Sequence, residues 1–178
     1  MVPPRYARDE AELSLLGRGA KQWNCPHCRQ CGRLNRHGPL RGLAERGPGK
    51  TALRGQRFFC SNRGRRGGCG RTFCVWLATV IARASVRTAG LWRFLTARLD
   101  GASVLEAWAQ AGSGFSLEAA HRWWRRWQRG HSAVRTRLWR GREPPGGIAA
   151  AVRQTYGSLD PIAGFQRSEQ VDWPAFTS

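Results

Sequence analysis

The second half of the chain carries the hydrophobic periodicity of amphipathic helices. A first helix is predicted from its N-cap, Ser85, to Leu99, where the pair Asp100-Gly101 ends it. Its apolar side consists of Leu91, Trp92, Leu95 and Leu99. Ser103 is the predicted N-cap of a short second helix, Val104–Ala111.

A third helix, Leu117–Gln128, is predicted after a glycine-containing turn, with Ser116 as its N-cap. At 100° per residue, one side of it collects Leu117, Ala120, Trp123, Trp124 and Trp127. The opposite side collects Arg122, Arg125, Arg126 and Arg129. A helix, a short helix, a turn and a further helix form the arrangement of a helix-turn-helix, in which the last helix enters a major groove. The alternative is an ordinary amphipathic helix with a solvated basic face.

The first half has weak helical periodicity and frequent glycine. Three short strands are predicted, at Gln22–Asn24, Leu34–His37 and Gln56–Phe59. The glycines and prolines of Gly38–Gly55 predict a long exposed loop between the last two. Val75–Ala84 is apolar and β-branched, a pattern that fits either a closing strand or the first turns of a helix.

The two ends of the chain have little pattern. Residues 1–20 are expected to form a flexible arm. Gly130 is expected to break the third helix, and one more basic helix is predicted at His131–Arg140. Residues 141–178, with several glycines and two adjacent prolines, are expected to be a weakly ordered tail that is extended after Ser158.

Six cysteines add a candidate metal site to this picture. Cys25-x-x-Cys28 can hold one ion from a tight turn, and Cys60 with Cys69 completes a tetrahedral set of thiolates that suits zinc. An alternative set consists of Cys28, Cys31, Cys69 and Cys74. The fold class that follows is α+β. A small zinc-stapled β ribbon at 21–74 precedes an all-helical helix-turn-helix domain at 75–140.

The charge indicates the kind of partner. The formal net charge is +19, from 30 basic and 11 acidic residues, and nearly all the basic residues are arginines. Such a chain attracts phosphate polyanions, and arginine suits bidentate contacts with phosphates and guanine edges. The sequence has no run of about 18 apolar residues and no signal-peptide core near its N-terminus. These features predict a cytoplasmic, nucleoid-associated protein.

Several stretches resemble a known family. They are Cys25-Pro26-x-Cys28, Arg36-His37-Gly38, Gln56–Cys60 and Cys69–Phe73. Together they resemble the zinc ribbon at the N-termini of bacterial insertion-element transposases and their small DNA-binding partner proteins. The family has a close Cys-x-x-Cys as its second half, whereas Ser61–Gly68 separates the two cysteines here. The run from Ser116 to His121-Arg122-Trp123 also resembles the third helix of transposase helix-turn-helix domains.

The charge and the resemblance predict a sequence-preferring DNA-binding protein of a mobile element, accessory or regulatory in role. The residues expected on bases are His121, Arg122, Arg125, Arg126 and Arg129, and those expected on phosphates are Arg63, Arg65, Arg66 and Arg71. The candidate partners are duplex DNA, a separate transposase subunit and a second copy of the chain in a homodimer.

No catalytic activity is expected. A metal-dependent nuclease needs two or three converging carboxylates, and the few acidic residues here lie at helix ends or in the tail. The chain left after the ribbon and helices is also too short for a nuclease domain. Two alternative functions remain, an RNA-binding zinc-ribbon module of a ribonucleoprotein and a protein-interaction scaffold subunit.

Overall fold

A computed structural model describes residues 1–43, 51–64, 67–82, 84, 86–112, 115–138, 146–157 and 160–173. These residues form an α+β fold, with one four-stranded mixed sheet and six α-helices. The strands are β1 (Tyr6–Ala7), β2 (Leu34–Leu43), β3 (Thr51–Cys60) and β4 (Thr72–Leu77). The helices are α1 (Glu10–Arg18), α2 (Thr88–Leu99), α3 (Val104–Ala111), α4 (Leu117–Leu138), α5 (Gly147–Tyr156) and α6 (Pro161–Glu169). No helix within these ranges combines the length and the apolar character needed to cross a membrane.

The sheet has the strand order β1-β4-β3-β2, with β1 parallel to β4 and the other neighbours antiparallel. The predicted loop at Gly38–Gly55 is wrong at both ends, because β2 runs to Leu43 and β3 begins at Thr51, while residues 44–50 lie outside the described residues. Gly38 has a φ of 115° and lies next to a β-bulge. A Cβ on Gly55 would lie 2.4 Å from the carbonyl oxygen of Val75. Both glycines therefore serve the sheet rather than a loop. β4 makes residues 75–77 a strand and ends at Leu77, and that strand crosses the predicted boundary between ribbon and helices.

The N-terminal residues correct the expectation of a flexible arm. Tyr6 and Ala7 are buried and pair with β4, and α1 packs Leu13 and Leu16 against the same hydrophobic cluster as Val75. The side chain of Asp9 caps α1 by accepting from the N–H of Glu12. The strand prediction at 22–24 is also wrong, since a 3-10 helix spans Ala20–Gln22. The strand β1 was not predicted, because a parallel strand of two residues leaves no periodicity in the sequence.

The helices α2 and α3 lie close to their predicted ranges. α2 starts at Thr88 and ends at Leu99, while its predicted N-cap, Ser85, lies outside the described residues. α3 has the predicted ends, and Ser103 forms a reciprocal capping box with Glu106. In α3, local capping chemistry determines the boundaries, so the sequence was sufficient to locate them. The predicted start of α2 was wrong, because its N-cap is Arg87, which makes no side-chain capping bond.

α4 continues ten residues past the predicted end, so the expectations of a break at Gly130 and of a separate fourth helix were wrong. The hydroxyl of Ser116 accepts from the N–H of Ala119, as expected of an N-cap. The buried positions form one continuous stripe, Ala120, Trp123, Trp127, Gly130 and Val134. A glycine inside a helix costs about 1 kcal/mol, whereas burying a valine side chain contributes about 1.5–3 kcal/mol. Packing on both sides of Gly130 therefore keeps the helix intact.

Residues 146–157 and 160–173 of the expected weakly ordered tail instead contribute to the helical core, while the other residues of 141–178 lie outside the described residues. Phe165 and Trp173 have no exposed surface, and the Trp173 ring stacks on Trp127 with centroids 5.4 Å apart. The side-chain amide of Gln166 donates to the backbone carbonyls of Ala78 and Val80, at 2.8 and 3.0 Å. Residues 160–173 thus bind the helices to the end of the sheet. These aromatic rings pack against residues that are distant in the sequence, so no local sequence pattern predicts their packing in the core.

Candidate metal centre and basic helix

The structure brings four of the six cysteines together. The Sγ atoms of Cys25, Cys28, Cys60 and Cys69 all lie within 4.8 Å of one another. Two of the separations, Cys25 to Cys69 and Cys28 to Cys60, are 3.7 Å. A disulfide requires about 2.05 Å, so these are thiols grouped around a common centre rather than bonded pairs. The group could hold a metal ion.

The first pair of cysteines lies on a tight turn. The N–H of Cys25 donates to the carbonyl of Gln30, and the N–H of Arg29 donates to the carbonyl of Cys25, both at 2.9 Å. Arg29, directly after Cys28, has a φ of 63°, which bends the chain back toward the sheet. The turn aims the thiols of Cys25 and Cys28 at the same point.

The second pair repeats this turn despite its wider spacing. The N–H of Cys60 donates to the carbonyl of Arg71 at 2.9 Å, and the N–H of Gly70 donates to the carbonyl of Cys60 at 3.0 Å. Gly70, directly after Cys69, has a φ of 71°. The two bonds and the left-handed residue match those of the first turn, although Cys60 and Cys69 are nine positions apart rather than three.

The extra residues, Asn62–Gly67, are inserted between Ser61 and Gly68. The N–H of Gly68 donates to the carbonyl oxygen of Ser61 at 2.5 Å, so a hydrogen bond joins the two ends of this segment. Ser61 and Gly68 therefore occupy the two middle positions of a Cys-x-x-Cys turn, and we call Asn62–Gly67 the inserted loop. Sequence reasoning missed this role of Gly68, although the run of glycines around Cys69 was a signal.

Gly68 has no room for a side chain. A Cβ there would lie 2.2 Å from the Sγ of Cys60 and 2.7 Å from the carbonyl oxygen of Ser61. Because both obstacles are part of the turn, a larger residue has to displace the thiol or the backbone. The closure of the inserted loop and the position of the Cys60 thiol thus depend on the same glycine.

The surroundings of the thiols divide them into two kinds. A backbone N–H from Gln30 lowers the pKa of Cys28 to about 7. Burial raises the pKa of Cys60 to about 12 and also raises the pKa of Cys25. Since metal ligands are thiolates, a metal that binds here displaces protons from the buried pair.

The remaining cysteines and nearby histidines lie outside this group. Cys31 is exposed, with its Sγ directed at backbone carbonyls of residues 21 and 22, and Cys74 lies on β4 opposite Arg57. The alternative ligand set that included Cys31 and Cys74 is therefore not assembled. His27 adjoins the group only through its N–H, 3.4 Å from the Sγ of Cys25.

The basic side of α4 is largely exposed. His121, Arg122, Arg125 and Arg129 are exposed on the side away from the buried Ala120, Trp123 and Trp127. Glu118 lies 3.8 Å from Arg122 in an exposed ion pair, which contributes little at a surface. We call Arg122, Arg125 and Arg129 the arginine row; these residues span about 10 Å along the helix.

Arg126 differs from the arginine row. Its guanidinium lies over the Trp123 ring, 5.1 Å from the centroid, and the residue is half-buried. Burial lowers its pKa, and the charges of Asp172 and Tyr6 oppose that effect. The expectation that Arg126 faces outward with the others was therefore only half right.

The arginines of the second turn are partly described. Arg63, in the inserted loop, and Arg71 are exposed, while Arg65 and Arg66 lie outside the described residues. Arg71 holds the turn through its carbonyl, which accepts from Cys60, and this leaves its guanidinium directed to solvent. In the sequence, Glu45 is the only acidic residue between Glu12 and Asp100, so the surface around the cysteines is strongly positive.

Comparisons of the chain with protein-family models, with curated proteins and with solved structures give no match. The proposals below therefore depend on the geometry and charge of the described residues.

Proposed function

We propose that the four cysteines hold a structural zinc ion. Zinc–thiolate bonds are about 2.3 Å long, and the edge of a tetrahedron with that radius is about 3.8 Å. The two shortest sulfur separations, 3.7 Å, fit this edge. All four positions are filled by protein thiolates, which leaves none for water or substrate and makes the site structural rather than catalytic.

The zinc ion would join the ends of the sheet to the N-terminal segment. Cys25 and Cys60 have no exposed surface and belong to the same hydrophobic cluster as Leu34, Phe58 and Val75. Without a metal, two buried thiols would stand in that cluster with no bond between them. Metal binding and packing of the sheet would then be linked, as in small zinc domains.

We propose further that the protein binds duplex DNA through α4. The observation that carries this proposal is the arginine row, exposed on a helix whose opposite side is anchored by buried tryptophans. The 10 Å between Arg122 and Arg129 corresponds to about three base pairs at 3.4 Å each. Arginine is the side chain that most often contacts guanine in the major groove, so a preference for particular sequences follows.

In this proposal the second cysteine turn forms a second contact surface for the DNA. The arginines of the inserted loop and Arg71 would contact phosphates, which gives affinity without sequence preference. Zinc would hold this turn in place, and the scarcity of acidic residues from Glu12 to Asp100 avoids repulsion of the DNA backbone. The resemblance to transposase zinc ribbons supports a role as an accessory or regulatory protein of a mobile element.

Two measurements test the proposals. Elemental analysis of the purified protein should give one zinc per chain, and a value far below one would contradict the zinc site. In a competition gel at fixed salt, a random-sequence duplex should displace labelled duplex DNA better than structured RNA does. Better displacement by structured RNA than by a duplex with the same number of phosphates would contradict the DNA proposal and favour the ribonucleoprotein alternative.

A further inference from the structure

The two faces of the sheet differ in what covers them. The face that contains Phe58 packs against α1 and the cysteine group, and Phe73 stacks on Phe58 from the neighbouring strand. Alternation along a strand directs Arg57 and Phe59 to the opposite face. On that face, Arg57 lies opposite Cys74, and Phe59 lies opposite the exposed Thr72.

This second face carries aromatic side chains where solvent-facing sheets usually have polar ones. We call the five residues His37, Arg57, Phe59, Cys74 and Trp76 the outer ledge. His37 and Arg57 are exposed and the other three are half-buried, and Trp76 also packs against the hydrophobic cluster that contains Phe58. The rings of His37 and Phe59 are 6.0 Å apart and tilted by 43°. Phe59 and Trp76 are separated by about 13 Å along the strands, with Arg57 and Cys74 between them.

The charge of the outer ledge is positive. β2, β3 and β4 contain no acidic residue. The exposed guanidinium of Arg57 makes no hydrogen bond or ion pair with the described residues, so it is available to a ligand. Aromatic rings interleaved with an available arginine suit a ligand that has both flat rings and negative charges.

The outer ledge also adjoins the basic helix. Trp76 pairs with Tyr6, whose hydroxyl donates to Asp172. Asp172 and Tyr6 are both close enough to α4 to act electrostatically on Arg126. A nucleic acid that follows α4 would therefore reach the Trp76 end of the outer ledge.

We propose that the outer ledge binds unpaired nucleotides of single-stranded DNA. Bases would stack on Phe59, His37 and Trp76, and Arg57 would contact a phosphate between them. Every base has a flat face, so this binding tolerates any sequence. It uses a surface different from the arginine row and does not depend on duplex binding by α4.

The test compares Phe59→Leu with Phe59→Tyr in the full-length protein. The probe is a fluorescent oligodeoxythymidylate of about 20 nucleotides, long enough to cover a stacking surface of this kind. Phe59→Leu should weaken its binding by about fivefold or more, since the stacking ring is lost, while Phe59→Tyr should bind within about twofold of wild type. Affinity for duplex DNA should change less than about twofold in both variants. Equal zinc content and equal circular dichroism spectra establish that both are folded.

A second variant tests the phosphate contact. Arg57→Gln should lower the salt slope of single-strand binding by about 0.7, the value for one phosphate on a single strand. Oligonucleotides with 5-iodouracil should cross-link under ultraviolet light to peptides of β2, β3 or β4.

Three results would overturn the proposal. The first is single-strand binding that is unchanged in Phe59→Leu. The second is an equal loss on duplex and single strand, and the third is cross-linking confined to α4. Tighter binding of oligouridylate than oligodeoxythymidylate, weakened by the same substitution, would make the ledge an RNA surface and refute the assignment to DNA.

Discussion

Deletion of the inserted loop, Asn62–Gly67, separates metal binding from DNA binding. The N–H of Gly68 already donates to the carbonyl of Ser61, so the two ends are neighbours in space and a local adjustment of the turn can join them. The product has the sequence Cys60-Ser61-Gly68-Cys69, an ordinary Cys-x-x-Cys turn. We therefore expect the deletion variant to fold and to retain one zinc per chain.

The size of both effects follows from the loop itself. Shortening the separation of Cys60 and Cys69 from nine positions to three lowers the closure cost by (3/2)RT ln 3, about 1 kcal/mol, or about fivefold tighter zinc binding. The deletion also removes Arg63, Arg65 and Arg66. If each contacts one phosphate, the slope of log affinity against log salt becomes less steep by about 2.7. Between about 50 and 200 mM salt, that difference amounts to about 40-fold in affinity.

Zinc competition with a chelator dye measures the first effect, and fluorescence anisotropy of a labelled duplex at several salt concentrations measures the second. The matched control replaces the three arginines with serine and keeps the loop length. It should have the salt slope of the deletion variant but the zinc affinity of the wild type. Loss of zinc from the deletion variant would refute the equivalence of the two turns. An unchanged salt slope in both variants would refute the phosphate contacts.

Two further predictions concern the metal centre and the core. Cys60→Ser should abolish stoichiometric zinc by elemental analysis, whereas Cys31→Ser should keep it, because only the first thiol belongs to the group; zinc loss in both would contradict the ligand assignment. Trp173→Ala should lower the free energy of unfolding by about 3–5 kcal/mol in urea denaturation, since its ring is fully buried against Trp127 and Phe165. Leu105→Ala, at a position 57% exposed, is the control and should change it by less than about 0.5 kcal/mol. Equal, small effects of both would show that residues 160–173 do not stabilise the helical core.

Features determined by neighbouring residues were predictable from the sequence. The ends of α3 follow from the hydroxyl of Ser103 and the carboxylate of Glu106, which lie three positions apart. The grouping of Cys25 with Cys28 follows from their tight spacing. The sequence did not reveal that Ser61 and Gly68 close the wide turn, because backbone hydrogen bonds leave no side-chain signature.

Features determined by distant contacts were not predictable. Trp173 is 46 positions from Trp127, and nothing in a short window around either residue indicates that their rings stack. Gly130 was misjudged because its local cost is visible in the sequence while the packing of Val134 on the core is not. Tyr6 likewise pairs with Trp76, which is 70 positions away along the chain.

Replacing the arginine row tests whether α4 reads the DNA sequence. The variant carries Arg122→Gln, Arg125→Gln and Arg129→Gln, and its charge-matched control carries Arg18→Gln, Arg93→Gln and Arg167→Gln, which are exposed positions on α1, α2 and α6. A preferred duplex is first selected from a random pool with the wild-type protein, and anisotropy then compares it with a scrambled duplex. Each lost base contact should cost about 1–3 kcal/mol on the preferred duplex only. The α4 variant should therefore bind both duplexes equally, while the control keeps the wild-type ratio of affinities. An unchanged ratio in the α4 variant, or an equal fall in both proteins, would contradict the account.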